Sequence, residues 1–239
     1  YIHFDHHITI ADPVTLANTG TIYFGNGNDM ITFTGGVTAS GPSSITMAGF
    51  YVLTAGSGVI NLNVPILVTG DSTFAGNSTG QITLGAVTLR DGVTLTTGNG
   101  SARPIVITSV TGTASGDPSN LTVNTAGTFS IGALGTDIGT VTVTQSNGGT
   151  FTGTVDAAAV IITDTTTGIT FAGALTCGTL TAHRTSETAG VPLITFGAGI
   201  THTISSSFDV SGTAGYELKL ASTGASQYTL DFGDTFTVR

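Results

Sequence analysis

The stretch GTFTGTVDAAAVIITDTTTGITFAGALTCGTL, Gly149 to Leu180, says nearly the same thing twice. GTFTGTV and GITFAGAL lie about twenty residues apart, and between them run apolar residues, threonines and glycines with hardly a charge. Working outward, the strand-like runs from Asn120, Thr140, Val160 and Thr179 carry the anchors Leu121, Val141, Val160 and Leu180 at that same step. A second register runs Phe129, Phe151, Phe171 and on to Phe196, and a third runs Leu134, Val155, Leu175. Three apolar registers recurring on one period are the mark of a coiled repeat.

Toward the N-terminus the step lengthens slightly. Leu62, Val68 and Phe74 map onto Leu84, Leu89 and Leu95, and Ile105 opens the next lap. Each lap holds three short strands separated by turns rich in Gly, Asn, Asp and Ser. X-Thr-X alternation recurs and helical three-and-four spacing does not. Strands of three to five residues bury nothing alone. Wound into a coil, each pairs in parallel with its equivalent one lap on, at about 4.8 Å.

Parallel crossovers are right-handed, so the expectation is an all-β, right-handed parallel β-helix (β-solenoid) of 20–22 residues per coil. About eleven laps would make a rod on the order of 50 Å long. An antiparallel sandwich explains the alternation but not three registers at one offset. The whole chain, 1–239, reads as a single solenoid. Residues 1–50 repeat less regularly, as an N-terminal cap or assembly segment, and SETAGVP, ending at Pro192, reads as a longer loop.

Only 8% of residues are charged, and 48 threonines keep the surface wet through their hydroxyls. Net charge is −9, with five scattered cations: Arg90, Arg103, Arg184, Lys219 and Arg239. Nucleic-acid binding needs clustered cations, so that partner is rejected. The longest apolar run, Ala157 to Ile162, falls far short of the roughly 18 residues of a membrane span, and no membrane insertion is expected. A chain starting at Tyr1 reads as processed or excised from a longer one.

ANTGTIYFGNGNDMITFTGGV (from Ala17), GQITLGAVTLRDGVTLTTGNG (from Gly80), LTVNTAGTF (from Leu121) and GTVDAAAVIITDTTTGITFAGAL (from Gly153) resemble repeats of large bacterial exported β-strand-repeat proteins of the filamentous-haemagglutinin and autotransporter-passenger type. VSGTAGYELKLASTGASQYTLDF, from Val210, is similar to a terminal motif of secreted bacterial β-helix proteins. The resemblance implies an extracellular or cell-surface structural or adhesive part, with host or biofilm glycans or a surface receptor as partners. It carries no catalytic residues across.

Asp117, Asp137 and Asp156 each stand four residues before a lap anchor. In register they would line one corner as a calcium ladder, carboxylates and turn carbonyls supplying the oxygens; otherwise each simply suits a tight turn. No other cofactor is expected. GNGNDMI, Gly25 to Ile31, matches most of a calcium-binding nonapeptide that works by stacking, but occurs once.

In HFDHHI, His3, Asp5 and His7 share one face of an extended strand and Ile2, Phe4 and Ile8 the other. His3 and His7 would then stand about 13 Å apart, too far for one zinc ion without a bend, so capping or a subunit contact is the better reading.

Arg90 and Asp91, with Asp71 a lap below, form the one constellation suited to a glycan-cleaving enzyme of the phage-tailspike or lyase type, or equally a solvated ion pair. Cys177 reads as a small buried hydrophobe. Thr-X-Thr pairs (Thr32/Thr34, Thr94/Thr96, Thr142/Thr144, Thr152/Thr154, Thr235/Thr237) raise an ice-binding solenoid, but they spread over different registers.

The sequence therefore points to a non-enzymatic rod. HFDHHITI at one end and YTLDFGDTFTVR at the other are strands able to pair head-to-tail into a filament, a contact that does not close.

Overall fold

A computed structural model describes residues 1–113, 116–184, 191–212, 219–233 and 237–238. Among these there is no helix, and every strand pairing is parallel. The strands stack as a β-solenoid of about nine turns. The sandwich is thereby set aside.

Three ladders form three faces. The first runs Ile2–Phe4, Ile22–Phe24, Ile45–Ala48, Ile66–Gly70 and onward, each pairing with the next. The second runs Ile8–Ile10, Asp29–Phe33, Phe50–Gly56, Ser72–Ser78, Thr94–Thr97, Ser119–Asn124 and Ile138–Gln145. The third passes through Val14–Leu16, Val37–Ala39 and Ile60–Leu62 to Gly149–Phe151, Ile169–Phe171, Ile194–Phe196 and Leu220–Ser222. Residues 2–50 lie in these same ladders, more regular than their sequence suggests.

Because side chains alternate across a strand, one set from each strand enters the shaft. Ile22, Ile45, Ile66, Val87 and Val110 stack from the first face. Leu62, Leu84, Ile107 and Ile131 stack from the third, all in one continuous buried core. Full burial of such a side chain stabilises by about 1.5–3 kcal/mol. Leu121, Val141, Val160 and Leu180 align as the repeat predicts, as do Leu134, Val155 and Leu175.

Two registers differ from the sequence alignment, both by two residues. Phe74 pairs with Thr97, not Leu95, and Ser72 faces Leu95 instead. Phe129 pairs with Gly149, whereas Phe151 pairs with Ile131. A side chain on Gly149 would strike the Phe129 ring, so this glycine makes room for it. Above it Phe151 stacks on Phe171 at 5.3 Å between ring centres, and Phe171 on Phe196 at 6.1 Å.

Laps vary from 19 residues (Val143 to Ile162) to 30 (Ser207 to Thr237), wider than the expected 20–22. The added residues go into corners, which cost little to extend. That is why the chain makes fewer laps than the eleven expected, and a shaft of about 40 Å at 4.8 Å per lap. The loop expected over 187–192 lies mostly outside the described residues.

The corner between the second and third faces holds a polar spine. Ser78, Thr125 and Ser146 accept hydrogen bonds from the N–H of Gly80, Gly127 and Gly148, two residues on, at 2.9, 2.9 and 3.3 Å. Each hydroxyl donates to a neighbouring lap: Ser78 to the Gly58 carbonyl at 2.6 Å, Thr125 to the Ser101 carbonyl at 3.0 Å, Ser146 to Thr165 Oγ1 at 3.1 Å. Buried backbone groups at a turn need such partners, and Ser/Thr-x-Gly supplies them.

Candidate functional site

The three aspartates occupy three different settings. Asp117 is exposed, just before Ser119. Asp137 is half-buried in the left-handed region (φ 66°), its carbonyl accepting from Ser119 N–H and its Oδ2 buried without a partner. Asp156 points outward from a strand opposite Thr176. The offset of 20 that joins Leu121 to Val141 shrinks to 19 between Ser119 and Ile138. Val155 sits over Leu134, which carries Asp156 toward Gly135 rather than Asp137. Among the described residues, no group of three or more His, Cys, Asp or Glu side chains is arranged to hold a metal ion.

In GNGNDMI, residues 25–28 form a corner that leads into the strand Asp29–Phe33. Gly25, Gly27 and Asn28 have φ of 76°, 124° and 50°, and buried Asp29 accepts from Asn26 N–H at 3.3 Å. HFDHHI is not one strand: it breaks at Asp5–His7, with His6 at φ 73°. Ile2–Phe4 thus belongs to the first face and Ile8–Ile10 to the second. The His3 ring stacks on Tyr23 at 4.5 Å.

Asp71 Oδ1 accepts from the Thr94 N–H at 2.7 Å, and Asp91 bonds the Thr113 hydroxyl. Each carboxylate thus anchors the next lap. Cys177 is buried, and desolvation pushes its thiol pKa up to about 12, far from a reactive thiolate. Register joins some threonines that the sequence scatters: Thr94/Thr96, Asn120/Thr122 and Thr140/Thr142 follow one another up the second face, then Ala159/Ile161 interrupts them.

Two buried groups escaped sequence reading. Arg103, wholly buried, donates through Nε to the Gly80 carbonyl at 3.1 Å and through Nη1 to the Ala75 carbonyl at 2.6 Å. Nη2 reaches Thr54 Oγ1 at 2.8 Å and the Gly58 carbonyl at 3.4 Å. All four bonds end on neutral oxygens, and burial lowers its pKa to about 10. His202, also fully buried, accepts the Leu175 N–H on Nδ1 at 3.2 Å. It lies against Phe196 and Tyr228, with ring centres 4.8 and 6.5 Å away. Burial lowers its pKa, a Gly197 backbone contact offsets part of this, and Nε2 is left without a hydrogen bond. Nothing in the local sequence marks either one; only the fold closes over them.

The second face also carries Tyr51, 46% exposed, beside an open cleft of about 280 Å³ lined by Asp71, Ser72, Thr73, Thr94 and Thr96.

Fold and surface together define a parallel β-solenoid with an apolar shaft, a polar spine in one corner and a hydroxyl-rich exterior. Compared with family models, curated proteins and solved structures, the chain matches none.

Proposed function

We propose that this chain is a non-enzymatic structural and adhesive β-solenoid, a stiff extracellular or cell-surface rod that spaces and displays. What supports the reading is the continuity of three ladders from Ile2 to Phe232 with a single apolar core inside them. Such a body resists pulling and proteolysis because every interior lap is hydrogen-bonded to two others, and its surface of threonine hydroxyls makes outward contacts. Its own copies are the first partner: the strands Ile2–Phe4, Ile8–Ile10 and Val14–Leu16 present an outer edge that sheet pairing would extend. Glycans or a surface receptor are the second.

Negative-stain electron microscopy of the purified chain across a concentration series tests this. Rods that lengthen with concentration support end-to-end assembly. Globular particles would overturn the rod, and monodisperse short rods at the highest concentration would remove the assembly.

A further inference from the structure

On the second face, Tyr51, Thr73, Thr96, Thr122 and Thr142 follow one another in register, one per lap, all pointing outward. Tyr51 stands at the foot of this column, nearly half exposed, beside the cleft that Asp71, Thr73, Thr94 and Thr96 line. Asp71 is fixed there, since its Oδ1 takes the Thr94 N–H at 2.7 Å, and the other oxygen keeps its lone pairs for a ligand.

An exposed phenol ring next to a fixed carboxylate and a row of hydroxyls suits a sugar, the ligand that uses all three. A pyranose ring packs its C–H face against the aromatic face, donates hydroxyls to the carboxylate, and exchanges hydrogen bonds with the threonines. Other ligands fit less well. The strand of Tyr51 is paired on both sides, with Met30 and Thr73 as neighbours, so no open edge can take up a peptide strand. The net charge of −9 and Asp71 itself repel phosphates, uronates and other anions.

We propose that the Tyr51 cleft binds a neutral oligosaccharide, one sugar stacked on Tyr51 and the next ones directed along Thr73 and Thr96, parallel to the rod axis. At about 280 Å³ the cleft is below the usual size of a small-molecule pocket, about 300–1,000 Å³. It holds one ring, and the column supplies extension. This deepens the adhesive half of the reading above and rests on it.

The test titrates the purified chain with cellohexaose, maltohexaose and trigalacturonic acid, by calorimetry and by chemical-shift changes. Binding of a neutral hexasaccharide is expected, weakened about tenfold or more in Tyr51→Ala and kept in Tyr51→Phe, because stacking needs the ring and not its hydroxyl. Thr96→Val, which preserves shape, is expected to weaken it less. Circular dichroism of Tyr51→Ala should match the parent, the side chain being on the surface.

Failure of both neutral sugars to bind at millimolar concentration overturns the site, as does undiminished binding by Tyr51→Ala or tighter binding of trigalacturonic acid. Rods that bind no sugar would sink the site and leave the mechanical role. Sugar binding by particles that are not rods would do the reverse.

Discussion

The guanidinium of Arg103 donates to the hydroxyl of Thr54 at 2.8 Å, spanning 49 residues of chain and two laps of the coil. In the Arg103 lap the turn position that Ser78 and Thr125 hold belongs to Ser101, four residues before Ile105, and its hydroxyl donates to the Gly76 carbonyl at 3.2 Å. Arg103 itself stands where the neighbouring laps have Gly80 and Gly127, and its side chain bonds three carbonyls besides. A cation without a counter-ion is costly to bury; several aligned carbonyl dipoles are what offset that cost.

Arg103→Ala leaves those carbonyls unsatisfied and opens a void. Each stranded acceptor costs about 1–3 kcal/mol, so a loss of about 3 kcal/mol or more is expected. Urea denaturation followed by circular dichroism measures it. An unchanged midpoint would show that water replaces the guanidinium freely.

His202 makes stability depend on pH. Its folded pKa lies below the ordinary value of about 6.5, so the unfolded chain binds the proton more readily. The contribution of the neutral imidazole is complete above about pH 6.5 and is lost as pH falls through the folded value. The melting temperature should drop between pH 7.5 and pH 5. His202→Leu should shrink that drop while lowering stability at pH 7.5, where the Leu175 N–H loses its acceptor.

Gly149 and Phe129 form a size-coupled pair. Gly149→Ala should destabilise by about 1–3 kcal/mol through overpacking. Adding Phe129→Leu should recover part of the loss, and a double-mutant cycle reads the coupling. Strict additivity would mean that the ring does not occupy the space above the glycine.

Cys177 should be inert in the native protein. With the thiol pKa near 12 and the side chain buried, labelling by iodoacetamide at pH 8 should proceed only at the rate of opening and accelerate in urea. Prompt native labelling would contradict its place in the shaft.

The parallel coil was legible in the sequence because two periods agree in it. Alternation by two sorts inside from outside along each strand, and the step of about twenty sets each strand over its equivalent. A slip of one residue would turn Val141 or Leu180 out to water, so apolar patterning forbids it. A slip of two keeps every inward residue inward and leaves no trace in the pattern. That is why Phe74 and Phe129 stand two places from the partners their spacing suggests.

The corners obey neither period. Chain length there varies freely, and which carboxylates meet, whether HFDHHI bends, and where Arg103 and His202 are enclosed follow from packing between laps far apart in sequence. The sequence by itself determined the repeating strand and the sidedness of its side chains, since both are local consequences of backbone geometry. Only the tertiary structure decided the spine, the buried cation and imidazole, and the cleft beside Tyr51. Each is made from residues of different laps, brought together by the stacking alone.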